Sequence, residues 1–240
     1  RFKKSTVAPA ASMNAVNIED EESDYEIKLW LDPADKTAYY YTEMEKVYLN
    51  TDSSEMFYSD YVGNKIEDIL DLDLSNFDTS QVTDMDNMFA GMSSLTTLDL
   101  SSFNTSKVWD MQNMFGYMRS LTTLNLSNFD TSKVTNMSEM FYGMSSLTTL
   151  DLSNFNTSQV TDMGNIFYLE DKDMSKDKLE TIYVNNDFNT DRPMVFSGMF
   201  KNRKKLRGGN GSYLADPSTA NKTWLRVDRP GVKGYFTRKS

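Results

Sequence analysis

The sequence predicts an α/β solenoid, a stack of short coils that each contribute one parallel strand and one short helix, and three regularities carry that prediction. A 26-residue unit recurs four times from residue 72 onward, with Phe77, Phe103, Phe129 and Phe155 in one column and Val82, Val108, Val134 and Val160 in another. A unit of that size cannot bury its own apolar face, so neighbours must stack into a continuous core. Within each unit the pairs Leu72/Leu74, Leu98/Leu100, Leu124/Leu126 and Leu150/Leu152 alternate apolar and polar, the period of a half-buried strand. Met85, Met88, Phe89 and Met92 then fall at i, i+3, i+4 and i+7, as do their counterparts from Met111 and Met137, which is the spacing of one helical face.

The elements follow in chain order. Residues 1–24 are polar, carry the acidic run Glu19-Asp20-Glu21-Glu22 and have no period, which predicts a loosely held lead-in. Residues 25–46 read as a hairpin cap, with strand Ile27 to Leu31, a turn at Asp32-Pro33-Ala34-Asp35 and strand Thr37 to Tyr41. Residues 47–207 form the repeat region: degenerate coils at 47–71 and 182–207 flank four near-perfect copies at 72–181, about six right-handed coils in all. In each copy the Leu-x-Leu strand runs into Ser-Asn-Phe-Asp-Thr-Ser or a close variant, whose side chains bond to nearby backbone and favour turns. Asp84, Asp110, Asn136 and Asp162 stand where N-caps belong, and Asn136 with Glu139 makes a capping-box pattern. The intervals Phe57 to Ile69 and Phe167 to Leu179 are longer than in the regular copies, which predicts longer helices in the outer coils. Residues 208–240 read as a second hairpin cap built on Trp224 to Val227 and Tyr235 to Thr237.

Composition narrows the function. A net charge of −10 argues against nucleic acid, whose binders gather Lys and Arg on one face. There is no Cys and no His, so thiol nucleophiles, disulfides, zinc–thiolate sites and the commonest general base are all excluded. No apolar run reaches the roughly 18 residues needed to span a bilayer. The chain lacks an initiator Met and is expected to be a piece of a longer protein that carries its own targeting and anchor.

The segment from Leu72 to Leu95, Leu-Asp-Leu-Ser-Asn-Phe-Asp-Thr-Ser-Gln-Val-Thr-Asp-Met-Asp-Asn-Met-Phe-Ala-Gly-Met-Ser-Ser-Leu, closely resembles the bacterial surface protein 26-residue repeat of the BspA-like leucine-rich-repeat proteins. The likeness extends from about Tyr25 to Phe236. It implies a secreted or wall-attached bacterial protein, often of several domains, with adhesion proposed for some members and no catalytic residues to carry over. Met92, Met118 and Met144 stand where family copies often have Cys, a departure that leaves the fold reading intact.

Candidate contact residues come from the outward strand positions. Thr97 and Asp99, Thr123 and Asn125, and Thr149 and Asp151 form a ladder of small polar groups, with Asp73 and Tyr183 extending its middle row. Strands stacked roughly 4.8 Å apart would bring Asp73 and Asp99 close, which suits either a hard cation such as Ca²⁺ or simple solvation, and solvation is the reading taken. The second copy departs most from the others: Trp109 replaces a Thr, and Tyr117 and Arg119 replace Gly91 and Ser93 of the first copy. Such residues recur at binding hot spots. The basic run Lys201, Arg203, Lys204, Lys205 and Arg207 suits an anionic polymer or a solvated helix end. No catalytic motif, metal ligand set or cofactor motif is present, so no enzyme activity, metal or cofactor is expected.

The expectation is a non-enzymatic, extracellular binding or adhesion module. Its partners would be surface proteins or glycans of the host or of the bacterium, together with other domains of the same chain, with no nucleic acid and no membrane insertion by this segment. A structural spacer of a wall-attached protein and a Ca²⁺-dependent carbohydrate-binding unit are the alternatives.

Overall fold

A computed structural model of the chain describes residues 1–17, 25–59, 65–192 and 194–240. The acidic run at 19–22 lies outside the described residues, as does part of the interval from Phe57 to Ile69. The predicted N-terminal hairpin forms: β3 (Lys28–Asp32) pairs antiparallel with β4 (Thr37–Tyr41) around the Asp-rich turn, where Asp32 and Asp35 accept hydrogen bonds from Ala34 and Thr37. The start of the expected lead-in is instead ordered by this hairpin. Strand β1 (Phe2–Lys4) lies parallel to β4, and β2 (Val16–Asn17) pairs with β3, giving a four-stranded sheet in the order β1-β4-β3-β2. The reason is apolar: the Phe2 ring sits 5.2 Å from Tyr40, 5.5 Å from Phe57 and 6.3 Å from Phe77, closing the end of the core.

No α-helix occurs among the described residues, which corrects the helical half of the expected coil. The Met-rich segments are ribbons of overlapping turns. In the first regular copy Met88, Ala90 and Met92 donate back to Met85, Asn87 and Phe89 within the coil. Met85, Asn87, Phe89 and Gly91 donate forward to Asp110, Gln112, Met114 and Gly116 of the next coil. The same alternation joins every later pair, and parallel bridges run Asp52, Asp84, Asp110, Asn136, Asp162, Val195. In the first regular copy every backbone group from Asp84 to Met92 finds a partner without a helix. The i, i+3, i+4, i+7 pattern suits this ribbon equally, since Met85, Met88, Phe89 and Met92 are fully buried in it. What prevents helix is a left-handed residue in every turn: Asn87, Asn113, Glu139 and Asn165 have φ between 48° and 59°. The expected N-caps serve as turn formers, Asp84, Asp110, Asn136 and Asp162 each accepting a hydrogen bond from the N–H two residues on. The longer outer helices are likewise replaced, by 3-10 turns at Lys65–Asp68 and Asp171–Lys176.

The opposite side of each coil departs from a continuous parallel sheet. The strand β5 (Val47–Tyr48) pairs with β6 (Phe77–Asp78), while the place beside Leu72 is taken by Phe2 of β1. Strand β7 (Thr149–Asp151) pairs forward with β8 (Thr181–Val184), which pairs with β9 (Phe236–Arg238). Between the middle copies side-chain amides bridge the coils: Asn128 Nδ2 donates to the carbonyls of Leu100 and Phe103, and Asn154 Nδ2 to those of Leu126 and Phe129. Buried Thr79, Thr105 and Thr131 hydroxyls reach the next coil's backbone in the same way. Inside, Phe57, Phe89, Phe115, Phe141, Phe167 and Phe200 form one stack with centroids 5.3 to 6.1 Å apart.

The C-terminal segment is no simple hairpin. Trp224 ends a 3-10 turn (Lys222–Trp224), Val227 bridges Phe236 in parallel, and β9 joins the sheet of β8. Nor is the basic run wholly on the surface. Arg203 is 1% exposed and donates to the carbonyls of Phe167 and Met144 and to Asp177 Oδ1 at 2.6 to 2.9 Å.

Candidate functional site

The polar ladder expected on the strand side is gathered into one place. Thr97, Asp99, Thr123, Asn125, Thr149 and Asp151 line a shallow groove of about 490 Å³, with Leu98 and Leu124 between them. Because the middle copies do not pair there, the N–H groups of residues 97–100 and 123–126 have no hydrogen-bond partner among the described residues. The same is true of the carbonyls of residues 97–99 and 123–125. Backbone polar groups without protein partners belong in water or against a ligand.

Its carboxylates are used first by the fold. Asp99 Oδ1 accepts from Ser101 N–H at 2.9 Å, and this bond, with the Ser101 hydroxyl, holds the carboxyl below its ordinary value. Asn125 does the same for Ser127 without a charge. Burial pulls Asp151 upward, but Lys239 and Ser153 outweigh it, and the carboxyl is held low. Lys239 was not among the expected residues; β9 carries it to Asp151 and over the Tyr183 ring, 5.4 Å from its centroid. A contact made across 88 residues leaves no local signal in the sequence.

The remaining expected residues lie outside the groove. Asp73 faces β1, its N–H donating to Phe2 and its Oδ1 accepting from Ser75. Tyr117 has φ 62°, in the slot that Gly91 and Gly143 fill in neighbouring copies, and its ring lies 4.9 Å from Tyr142, which stacks on Tyr168 at 4.8 Å. Arg119 caps that row over Tyr117 and is paired with Glu170 and Asp173 at 2.9 and 2.8 Å. Both departures therefore have structural employment. Trp109 stands on a different face, exposed, in a row with Thr83 and Thr135.

An acidic ladder, missed in the sequence as anything but helix caps, runs along the start of the turn ribbon. Asn136 Nδ2 supplies donors to Asp110 Oδ2 and Gln112 Oε1, each at 3.1 Å, and so satisfies one level of it. One coil earlier Asp110 stands in the place of Asn136, and among the described residues only the Asn87 side chain offers the Asp86 carboxyl a hydrogen bond. Burial there, reinforced by Asp110 and Asp52, raises Asp84, and burial with Asp110, Asp84 and Glu55 close by raises Asp86 to about 6. Asp86 Oδ1 has no partner among the described residues. No group of three or more carboxylates among them is placed to hold a metal ion, and no helix is long and apolar enough to cross a membrane.

Comparison with known families places the repeats. A family model described as Mycoplasma protein of unknown function, DUF285, matches residues 51–181 and again 117–222, so that the matches together cover the stacked copies, the last flanking coil and the first from residue 51. The chain belongs to this family. The two DUF285 matches overlap on residues 117–181, as a period inside the chain requires, and the N-terminal sheet and strand β9 fall outside them. No curated protein and no solved structure matches the chain.

Proposed function

We propose that this DUF285 chain is a non-enzymatic binding module of a bacterial surface protein, a solenoid kin to the BspA-like repeats that presents its strand-side groove to a surface protein or glycan. The observation that carries the reading is the groove itself, where Thr, Asp and Asn side chains of three consecutive coils flank backbone groups that, in the first two of them, have no partner among the described residues. Repeat stacks suit such extended faces. A binding role also fits the chemistry at hand, since Asp99 and Asp151 are held ionised by hydrogen bonds and so are unsuited to proton transfer near neutral pH.

The spacer reading draws support from the same bonds, because those carboxylates are already used within their own turns. One experiment separates the two. Thr97→Arg with Thr123→Arg fills the groove without touching a turn bond, and both positions are exposed. Saturable binding to a panel of matrix proteins, mucins and glycans, lost in the double variant with its melting temperature unchanged, is expected. Binding that survives the filled groove would remove the groove from the reading, and an intact chain that binds nothing would favour the spacer.

A further inference from the structure

The four copies act as controls for one another. Buried columns repeat with little change, so a surface residue that departs from its counterparts without a packing reason points outward. Tyr117 and Arg119 have such reasons, in the tyrosine row and the Glu170/Asp173 pairs. Trp109 does not. It is 47% exposed, its backbone continues the row from Thr83 to Thr135 unchanged, and its ring has no aromatic or cationic partner among the described residues.

Two further departures lie beside it. Lys107 and Lys133 occupy the column that Gln81 and Gln159 hold in the first and fourth copies. Lys107 ends the turn that Val108 N–H closes on Thr105, and Lys107 and Trp109 are both exposed on either side of the fully buried Val108. Lys107 Nζ donates to Gln81 Oε1 at 2.7 Å, and among the described residues neither lysine is paired with a carboxylate, on a chain of net charge −10. The neighbouring acids are engaged in their own turns: Asp110 accepts from Gln112 N–H and Asn136 Nδ2, and the exposed Asp130 accepts from Ser132 N–H, with Lys133 adding a lesser pull on its carboxyl.

We infer that the face carrying Gln81, Lys107, Trp109 and Lys133 binds an anionic polysaccharide. A sugar ring lays its C–H face on the indole, whose amphipathic ring suits a ligand that is apolar on one side and polar on its rim. The ammonium groups, on adjoining coils roughly 4.8 Å apart, meet successive carboxylates or sulfates. Gln81 and Thr83 supply amide and hydroxyl groups of the kind that hydrogen-bond sugar hydroxyls. A lipid surface fits less well, since a single Trp among Thr and Gln offers little area to bury in acyl chain. This face is separate from the strand groove and does not depend on it.

The test uses the intact chain with heparin and hyaluronan oligosaccharides as sulfated and carboxylated probes, dextran as neutral control, and vesicles of anionic phospholipid. Variants are drawn from the chain's own repeats so that folding is preserved: Trp109→Thr, and Lys107→Gln with Lys133→Gln. Expected is saturable, salt-sensitive binding of at least one anionic probe with a change in tryptophan fluorescence, weakened about tenfold or more in each variant, as for a hot-spot aromatic. The Thr97→Arg/Thr123→Arg chain should bind these probes as the parent does. Failure of both anionic probes, equal binding of dextran, or variants that bind like the parent would each overturn the inference. Vesicle binding lost with the same variants, in the absence of saccharide binding, would replace the polysaccharide by a membrane.

Discussion

At Asp86 a single carboxylate sits where the next three copies place Gln112, Ser138 and Gly164, and its Oδ1 has no partner among the described residues. Its pKa near 6 lies above the ordinary 3.8, so the folded state holds a proton that the unfolded chain has released. Asp86 therefore costs nothing below about pH 4, where it is protonated in both states, and its cost grows through pH 6 and stays constant above. Asp86→Asn should stabilise the protein at pH 7 by on the order of 1 kcal/mol, after allowing for partial screening. Urea denaturation at pH 4 and pH 7 checks this: a gain equal at both values would disprove the titration argument. Arg203 argues the reverse case. Wholly buried and bonded to Asp177 and two carbonyls, it should not tolerate truncation, and Arg203→Ala is expected to lose about 3 to 5 kcal/mol in the same assay. Nothing local in Lys201 to Arg207 marks which of its cations goes inside; the choice follows from Asp177, 26 residues earlier.

For the elements, the repeat period and the buried columns were legible, while the local backbone was not. Met and Phe at helical spacing place the same side chains inward from a helix or from a ribbon of turns, so periodicity could not separate the two. The separating signal was present in Asn87, Asn113 and Asn165 and in Gly91 and Gly143, residues that accept left-handed φ and recur in the same columns. Likewise the Thr, Asp and Asn positions of the groove were legible from alternation, but the absence of pairing there was not, because Asn128 and Asn154 bridge the coils through side chains. The phenylalanine stack is where stability concentrates. Phe115 is fully buried between Phe89 and Phe141, and Phe115→Ala should cost about 3 to 5 kcal/mol. A loss under about 1 kcal/mol on denaturation would mean that the coils do not depend on their common core.

Across the whole molecule, the ends matter as much as the repeats, and here the N-terminal hairpin was readable from its aromatic strands whereas β1 was not, since Phe2-Lys3-Lys4 has no alternating pattern long enough to read. Yet Phe2 plugs the core, and β1 covers the backbone edge at residues 71–73. Removing residues 1–5 should lower the melting temperature and promote self-association, seen by light scattering, because an uncovered strand edge invites pairing with another chain. A monomeric, equally stable truncated chain would show that the four-stranded sheet closes the end without it. The turn ribbon has one more property. At each junction from Met85 to Asn165 its N–H groups donate forward, to the coil that follows, against fewer bonds returning from the threonine row. Peptide dipoles so aligned add along the stack as they do along a helix, leaving the first coil relatively negative and the last relatively positive. The molecule thus has a polarity like that of a bar magnet. Two such stacks meeting end to end through these ribbons would match donors to acceptors only head to tail.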